Sequence, residues 1–255
     1  MAATAKTVAL LLTKFPLNNN STPESSLSKP RYLIFDWGIY VYATCAGLAV
    51  LIPIPLLDWL FEEFFRRRIP ATIAKRRQQN LNPFIVRELN YSEGGCLKSC
   101  LWLPFTLLIV LLKKISQKIL YFLTIKEAGD KVSHYWHQAF LIDYMLVQGH
   151  LADETSARVA RLAMEQVLKN ITTSPLTQLA SQIIQGTRHV GLTLFKFRRG
   201  NEDEVMAQTQ SNMAASWANY EGYLKTVAAL YDQTYQAQLL VQAQAAEAGV
   251  KSGTL

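Results

Sequence analysis

Charge is scarce in this chain of 255 residues: only 18% are Asp, Glu, Lys or Arg, while 50% are hydrophobic. A purely soluble domain usually carries about a quarter charged residues, so a membrane-associated part is expected. Cysteine is scarcer still. Cys45, Cys96 and Cys100 cannot all pair internally and Cys45 lies in an apolar run, which argues against a disulfide framework and fits reduced thiols facing a cytoplasm. Signature loops are missing too: there is no G-x-S-x-G elbow, no G-x-G-x-x-G turn and no G-x-x-x-x-G-K-[ST] loop. No cofactor is expected, and an enzyme is the less favoured class. A secretory signal is also lacking, because the apolar patch Val8–Leu12 spans only five residues where about 7 to 15 are needed.

Acid is short over most of the chain. Residues 1–199 carry 24 Lys+Arg against 13 Asp+Glu, whereas residues 200–255 carry 2 against 6. The basic part calls for an acidic partner. Nucleic acid is not the expected one, since no zinc-finger spacing, ribonucleoprotein motif or helix-turn-helix accompanies the arginines.

What is present is apolar helix running into basic helix, twice. Pro16–Pro30 is a polar, proline-bounded linker, so residues 1–30 form a flexible N-terminal segment. From Trp37 to Leu57 there are 21 residues without a formal charge, and about 20 suffice to cross a bilayer. Pro53 and Pro55 interrupt the run, however, and an interior proline costs a helix about 3 kcal/mol. Two elements are therefore predicted: an apolar helix over Trp37–Ile52 that enters lipid, and an amphipathic helix over Leu56–Arg68, stopped by Pro70. The second presents Trp59, Phe61, Phe64 and Phe65, then a cluster of Arg66, Arg67, Arg68, Lys75, Arg76 and Arg77. Basic residues at an anionic leaflet contribute roughly 1 kcal/mol each. A solvated face on a soluble helical bundle is the alternative.

The second apolar region, Ser99–Leu112, has 14 uncharged residues, too few for a span, and leads into Lys113, Lys114 and Lys118. Were both regions to cross, their basic flanks would lie on opposite sides, against the positive-inside tendency. A monotopic or re-entrant anchor is thus expected, with anionic lipid as the partner. The segment Ala46–Asp58, "AGLAVLIPIPLLD", resembles the small-residue, proline, aspartate segment of EcsC-like proteins and of the helical domain accompanying some membrane-associated GTPases. The resemblance implies an all-helical, membrane-linked module.

The rest reads as helix. Ser174 before Pro175 is a helix start signal, and Gly200-Asn201 marks one helix end and the next beginning. In the last helix, over about Glu202–Ala246, Met213, Trp217, Tyr220, Leu224 and Tyr231 form a partial heptad seam. It is expected to pack within the chain or against a protein partner or second copy. His134 and His137 form H-x-x-H, with Asp143 nearby in sequence. They lack the glutamate of H-E-x-x-H and suit an aromatic interfacial helix, so metal binding is a minor alternative. The fold expected is all-α: a membrane-associated helical region, 31–149, then a soluble helical domain, 150–255. The function expected is that of a membrane-bound anchor or scaffold facing the cytoplasm. A membrane-embedded enzyme or transport component built on the histidines, or a soluble interaction protein, is the alternative.

Overall fold

Asp36 opens the first helix by accepting a hydrogen bond from Gly38 N at 2.8 Å, as an N-cap carboxylate does. Helix α1, Trp37–Leu48, continues into a 3-10 turn over Ala49–Leu51. The structure, a computed structural model, describes residues 29–52, 57–91, 117–171, 174–185 and 204–252. Beyond α1 come α2, Leu57–Arg66, α3, Ile69–Arg76, and α4, Pro83–Leu89. Then follow α5, Gln117–Gln148, α6, Glu154–Asn170, α7, Pro175–Gln185, and α8, Glu204–Ser252. No strand occurs among the described residues, and the all-α expectation holds.

Pro70 does not only end α2. It sits in the first turn of α3, where its missing N–H costs nothing. Asn82 and Asp153 cap α4 and α6 through bonds from Phe84 N and Ser156 N, both 2.9 Å. At the end of α5, Gly149 takes a left-handed φ of 78°, and the chain turns through bonds from Gly149 N to Leu146 O and His150 N to Met145 O. That pairing is the Schellman turn, in which a glycine carries the positive φ.

The core is built around α1 and α5, which pack along one another. Ten of the twelve residues of α1 are buried. Where the sequence reading expected lipid around Trp37–Ile52, the chain itself packs, with Leu48 and Ile52 in the core and Trp37, Tyr42, Val50 and Leu51 partly buried against it. The reason lies in the small residues. Ala43, Ala46, Gly47 and Ala49 let the backbone of α5 approach so closely that a Cβ at Gly47 would strike the Cα and N of Val132. Thr44 is satisfied locally: its hydroxyl donates to Tyr40 O at 3.0 Å and accepts from Trp136 Nε1 at 2.9 Å. A buried polar group needs such partners.

The outer helices are tied to this pair by charges. Glu62 of α2 bonds Lys131 Nζ at 2.7 Å and accepts from Tyr135 Oη at 2.6 Å. At the end of α2, Glu63 pairs with Arg67 at 2.6 Å and with Arg66 at 2.9 Å, which leaves Glu62 to reach α5. Arg161 of α6 bonds Glu88 of α4 at 2.9 Å. Helix α7 lies against α5, and α8 against α6. Trp217 Nε1 of α8 donates to Leu33 O at 2.9 Å, across 184 positions. Helices before and after residue 149 therefore share contacts, and residues 31–255 form one compact unit. Among the described residues, no helix is long and apolar enough to cross a membrane. Pro53, Pro55, Ser99–Leu112, Lys113, Lys114, Gly200 and Asn201 lie outside the described residues.

Candidate functional site

Along α5, Lys126, Asp130, Ser133, His134 and His137 recur at spacings of three and four, which places them on one helical face. That polar stripe meets Leu168 in the last turn of α6 and Ile171 just after it, and Ser174 just before α7 and Thr177 in its first turn. Together they line a cleft of 380 Å³. Pockets for small ligands begin at about this size.

At the inner end of the cleft is His137. Its Nδ1 lies 2.6 Å from Ser133 O, and a carbonyl only accepts, so Nδ1 carries the hydrogen and Nε2 offers its lone pair. Two hydroxyls approach that lone pair: Tyr223 Oη of α8 at 2.8 Å and Ser174 Oγ at 3.2 Å. Ser174 also caps α7, accepting from Leu176 N at 3.0 Å. Burial pushes the His137 imidazole down to about 4 and raises the Tyr223 phenol, so both are neutral near pH 7. His134 lies on the exposed side of the cleft, and burial lowers it as well, against the pull of the Glu62 carboxylate.

The two histidines and Asp143 are not brought together. Asp143, 1% exposed, receives both Nε and Nη2 of Arg77 at 2.6 Å, and Arg77 Nη2 also donates to Arg31 O at 3.1 Å. Among the described residues, no group of three His, Cys, Asp or Glu side chains could hold a metal ion. His137 has both nitrogens engaged within the protein.

The residues expected at a lipid surface divide. Phe61 and Phe65 are in the core, while Trp59 and Leu60 are 44% and 50% exposed. Phe64 is half-buried, with the Arg68 guanidinium 3.7 Å from its ring centre. Arg66 bonds Glu63 and Asn90 O, whereas the Arg67 side chain is 68% exposed. Lys75 and Arg76 are exposed, the latter lying across Gly38 at the start of α1, and Arg77 is held by Asp143. Lys118 falls in the first turn of α5. Of the seam, Met213, Trp217, Leu224 and Tyr231 are buried within the chain and Tyr220 partly so. Exposed apolar side chains on α8 are Leu240 and Val241 instead.

Ser174 was legible in the sequence only as a helix cap, and Tyr223 not at all. They reach His137 across 37 and 86 positions, and no local spacing signals such contacts. No family model, no curated protein and no solved structure matches this chain, and the resemblance of Ala46–Asp58 to EcsC-like segments is carried by those residues alone.

Proposed function

We propose that the protein is a peripheral membrane component, held on the anionic, cytoplasm-facing surface of a membrane by the outer face of α2. The observation that carries this reading is the composition of that face. Positions 59, 60, 63, 64 and 67 fall on one side of the helix, which exposes Trp59, Leu60 and Arg67 while Phe61 and Phe65 turn into the core. An aromatic and an aliphatic side chain beside arginines is the arrangement that lies in a headgroup layer, apolar atoms inward and guanidinium at phosphate level.

Continuity of the chain supports it. Asn90 Nδ2 donates to Arg67 O at 3.2 Å and Arg66 Nη1 to Asn90 O at 3.1 Å, which pins the end of α4 beside the basic end of α2. The chain therefore enters residues 92–116, which contain the 14-residue uncharged run, from beside Arg67. Contact with a protein partner would use the outer surface of α8 near Leu240 and Val241, not the buried seam.

Vesicle flotation of the full chain tests the reading. The wild type should float with vesicles of phosphatidylcholine and phosphatidylserine, and the Trp59→Ser, Leu60→Ser double variant should float less. Failure of the folded wild type to float with any vesicle, anionic or zwitterionic, would overturn it.

A further inference from the structure

We propose that the cleft between α5, α6 and α7 is an ester-cleaving site, with Ser174 Oγ as nucleophile and His137 Nε2 as its base. The proposal goes beyond membrane attachment and does not depend on it.

More hydrogens surround His137 than it can accept. Nε2 of His137 has one lone pair, yet two hydroxyls, Ser174 Oγ at 3.2 Å and Tyr223 Oη at 2.8 Å, surround it. One lone pair takes one hydrogen, so two proton arrangements are available. In one, Tyr223 donates to Nε2. In the other, Ser174 donates to Nε2, which is the pairing a serine nucleophile needs. The third element of such a site, a group that fixes the imidazole, is Ser133 O at 2.6 Å from Nδ1. Ser174 stands at the start of α7, where Leu176 N already donates to Oγ at 3.0 Å, so the helix terminus favours negative charge developing on that oxygen. The cleft gives the substrate a place: Leu168 and Ile171 form an apolar wall for an acyl group, and Lys126, Asp130 and Thr177 line the rest.

The step balances with substrate and water alone. Ser174 Oγ bonds to the carbonyl carbon of the ester as its proton passes to Nε2. Tyr223 O–H, 2.8 Å from Nε2, is the donor the site offers to the carbonyl oxygen that becomes negative, while Leu176 N–H stays on Oγ. Collapse breaks the carbon–oxygen bond to the alcohol, which leaves with the proton from Nε2. Water then attacks the acyl-serine, giving its proton to Nε2, and release of the acid returns that proton to Ser174. The volume of 380 Å³ suits a short acyl ester.

The full chain should form a covalent adduct with a fluorophosphonate probe, mapped by mass spectrometry to Ser174, and should hydrolyse p-nitrophenyl butyrate. Ser174→Ala should abolish both, and His137→Ala should slow turnover by a factor on the order of 100, the usual contribution of a positioned base. Ser174→Ala also loses the α7 cap, so Ser174→Cys serves as the second variant: it should regain acylation by the ester, detected as a thioester-linked butyryl group. Folded wild type that yields no adduct at Ser174, or ester hydrolysis unchanged in Ser174→Ala, would overturn the proposal. The Trp59→Ser, Leu60→Ser variant should keep the activity whatever its flotation, so the two readings fail separately.

Discussion

Replacing Gly47 by alanine separates a helix packed in protein from a helix immersed in lipid by the sign of the effect. In the structure, a Cβ at position 47 would strike Val132 Cα and N, backbone atoms that move only if α5 moves, together with Val132 Cγ2. Overpacking of this kind costs typically about 1 to 3 kcal/mol, and an immovable backbone puts it in the upper half. Alanine's better helix propensity returns about 0.5 to 1 kcal/mol. The net expectation is a loss of about 1 to 2.5 kcal/mol, or a fall in Tm of roughly 2 to 10 °C in a chain of this size. Gly222, in the interior of α8, is the matched control, because nothing lies within 4 Å of a Cβ built there. Gly222→Ala should stabilise by about 0.5 to 1 kcal/mol. Urea unfolding followed by circular dichroism reads both variants. A Gly47→Ala protein as stable as wild type, or more so, would refute the close packing of α1 on α5.

Three further outcomes follow from particular contacts. Arg77→Met leaves the Asp143 carboxyl, 1% exposed, without the guanidinium that binds both its oxygens and should cost about 3 to 5 kcal/mol, whereas adding Asp143→Leu should recover most of it; chemical denaturation of the single and double variants decides. His137 is held neutral by burial, with its folded pKa at about 4 against an unfolded value near 6.5, so the unfolded chain binds more protons between those values. Its contribution, up to about 3 kcal/mol, is therefore complete above pH 6.5 and disappears as pH falls to about 4. Facing it are His134, Asp130 and Lys126 from α5 and Tyr223 from α8, with uncharged Leu168, Ile171, Ser174 and Thr177 from α6 and α7. His137→Gln should flatten that part of the stability profile measured by urea unfolding at pH 4.5 and pH 7. Gly149→Ala should cost about 1 to 2 kcal/mol in thermal unfolding through the left-handed φ alone, since a Cβ there meets no atom.

The helices themselves were legible because their signals are local. Asp153, Ser174 and Pro175 stand where caps and first turns require them, and α2 shows its amphipathic spacing plainly. What covers the apolar helix was not legible. Trp37–Ile52 has the composition of a lipid-facing segment and equally that of a core helix, because both environments lack water. The discriminating feature is Gly47 against Val132, a contact across 85 positions that only the fold creates. The same holds for charge: Glu62 stands four residues before Arg66 yet reaches Lys131 and Tyr135, since a tertiary partner on α5 outcompetes an i,i+4 neighbour worth about 0.2 to 0.5 kcal/mol. The histidines were visible as H-x-x-H, but the groups that meet His137 are two hydroxyls distant in sequence, Ser174 and Tyr223, and Asp143 pairs with Arg77 instead.

Hydrogen exchange on the full chain, with and without phosphatidylserine-containing vesicles, tests the central claim most directly: that α1 is covered by the protein while the outer face of α2 meets the membrane. The account expects the amides of Ile39–Leu48 to be slow without vesicles and unchanged by them, with added protection on vesicles over Leu57–Arg68. Fast exchange in α1 that slows only when vesicles are added would contradict it.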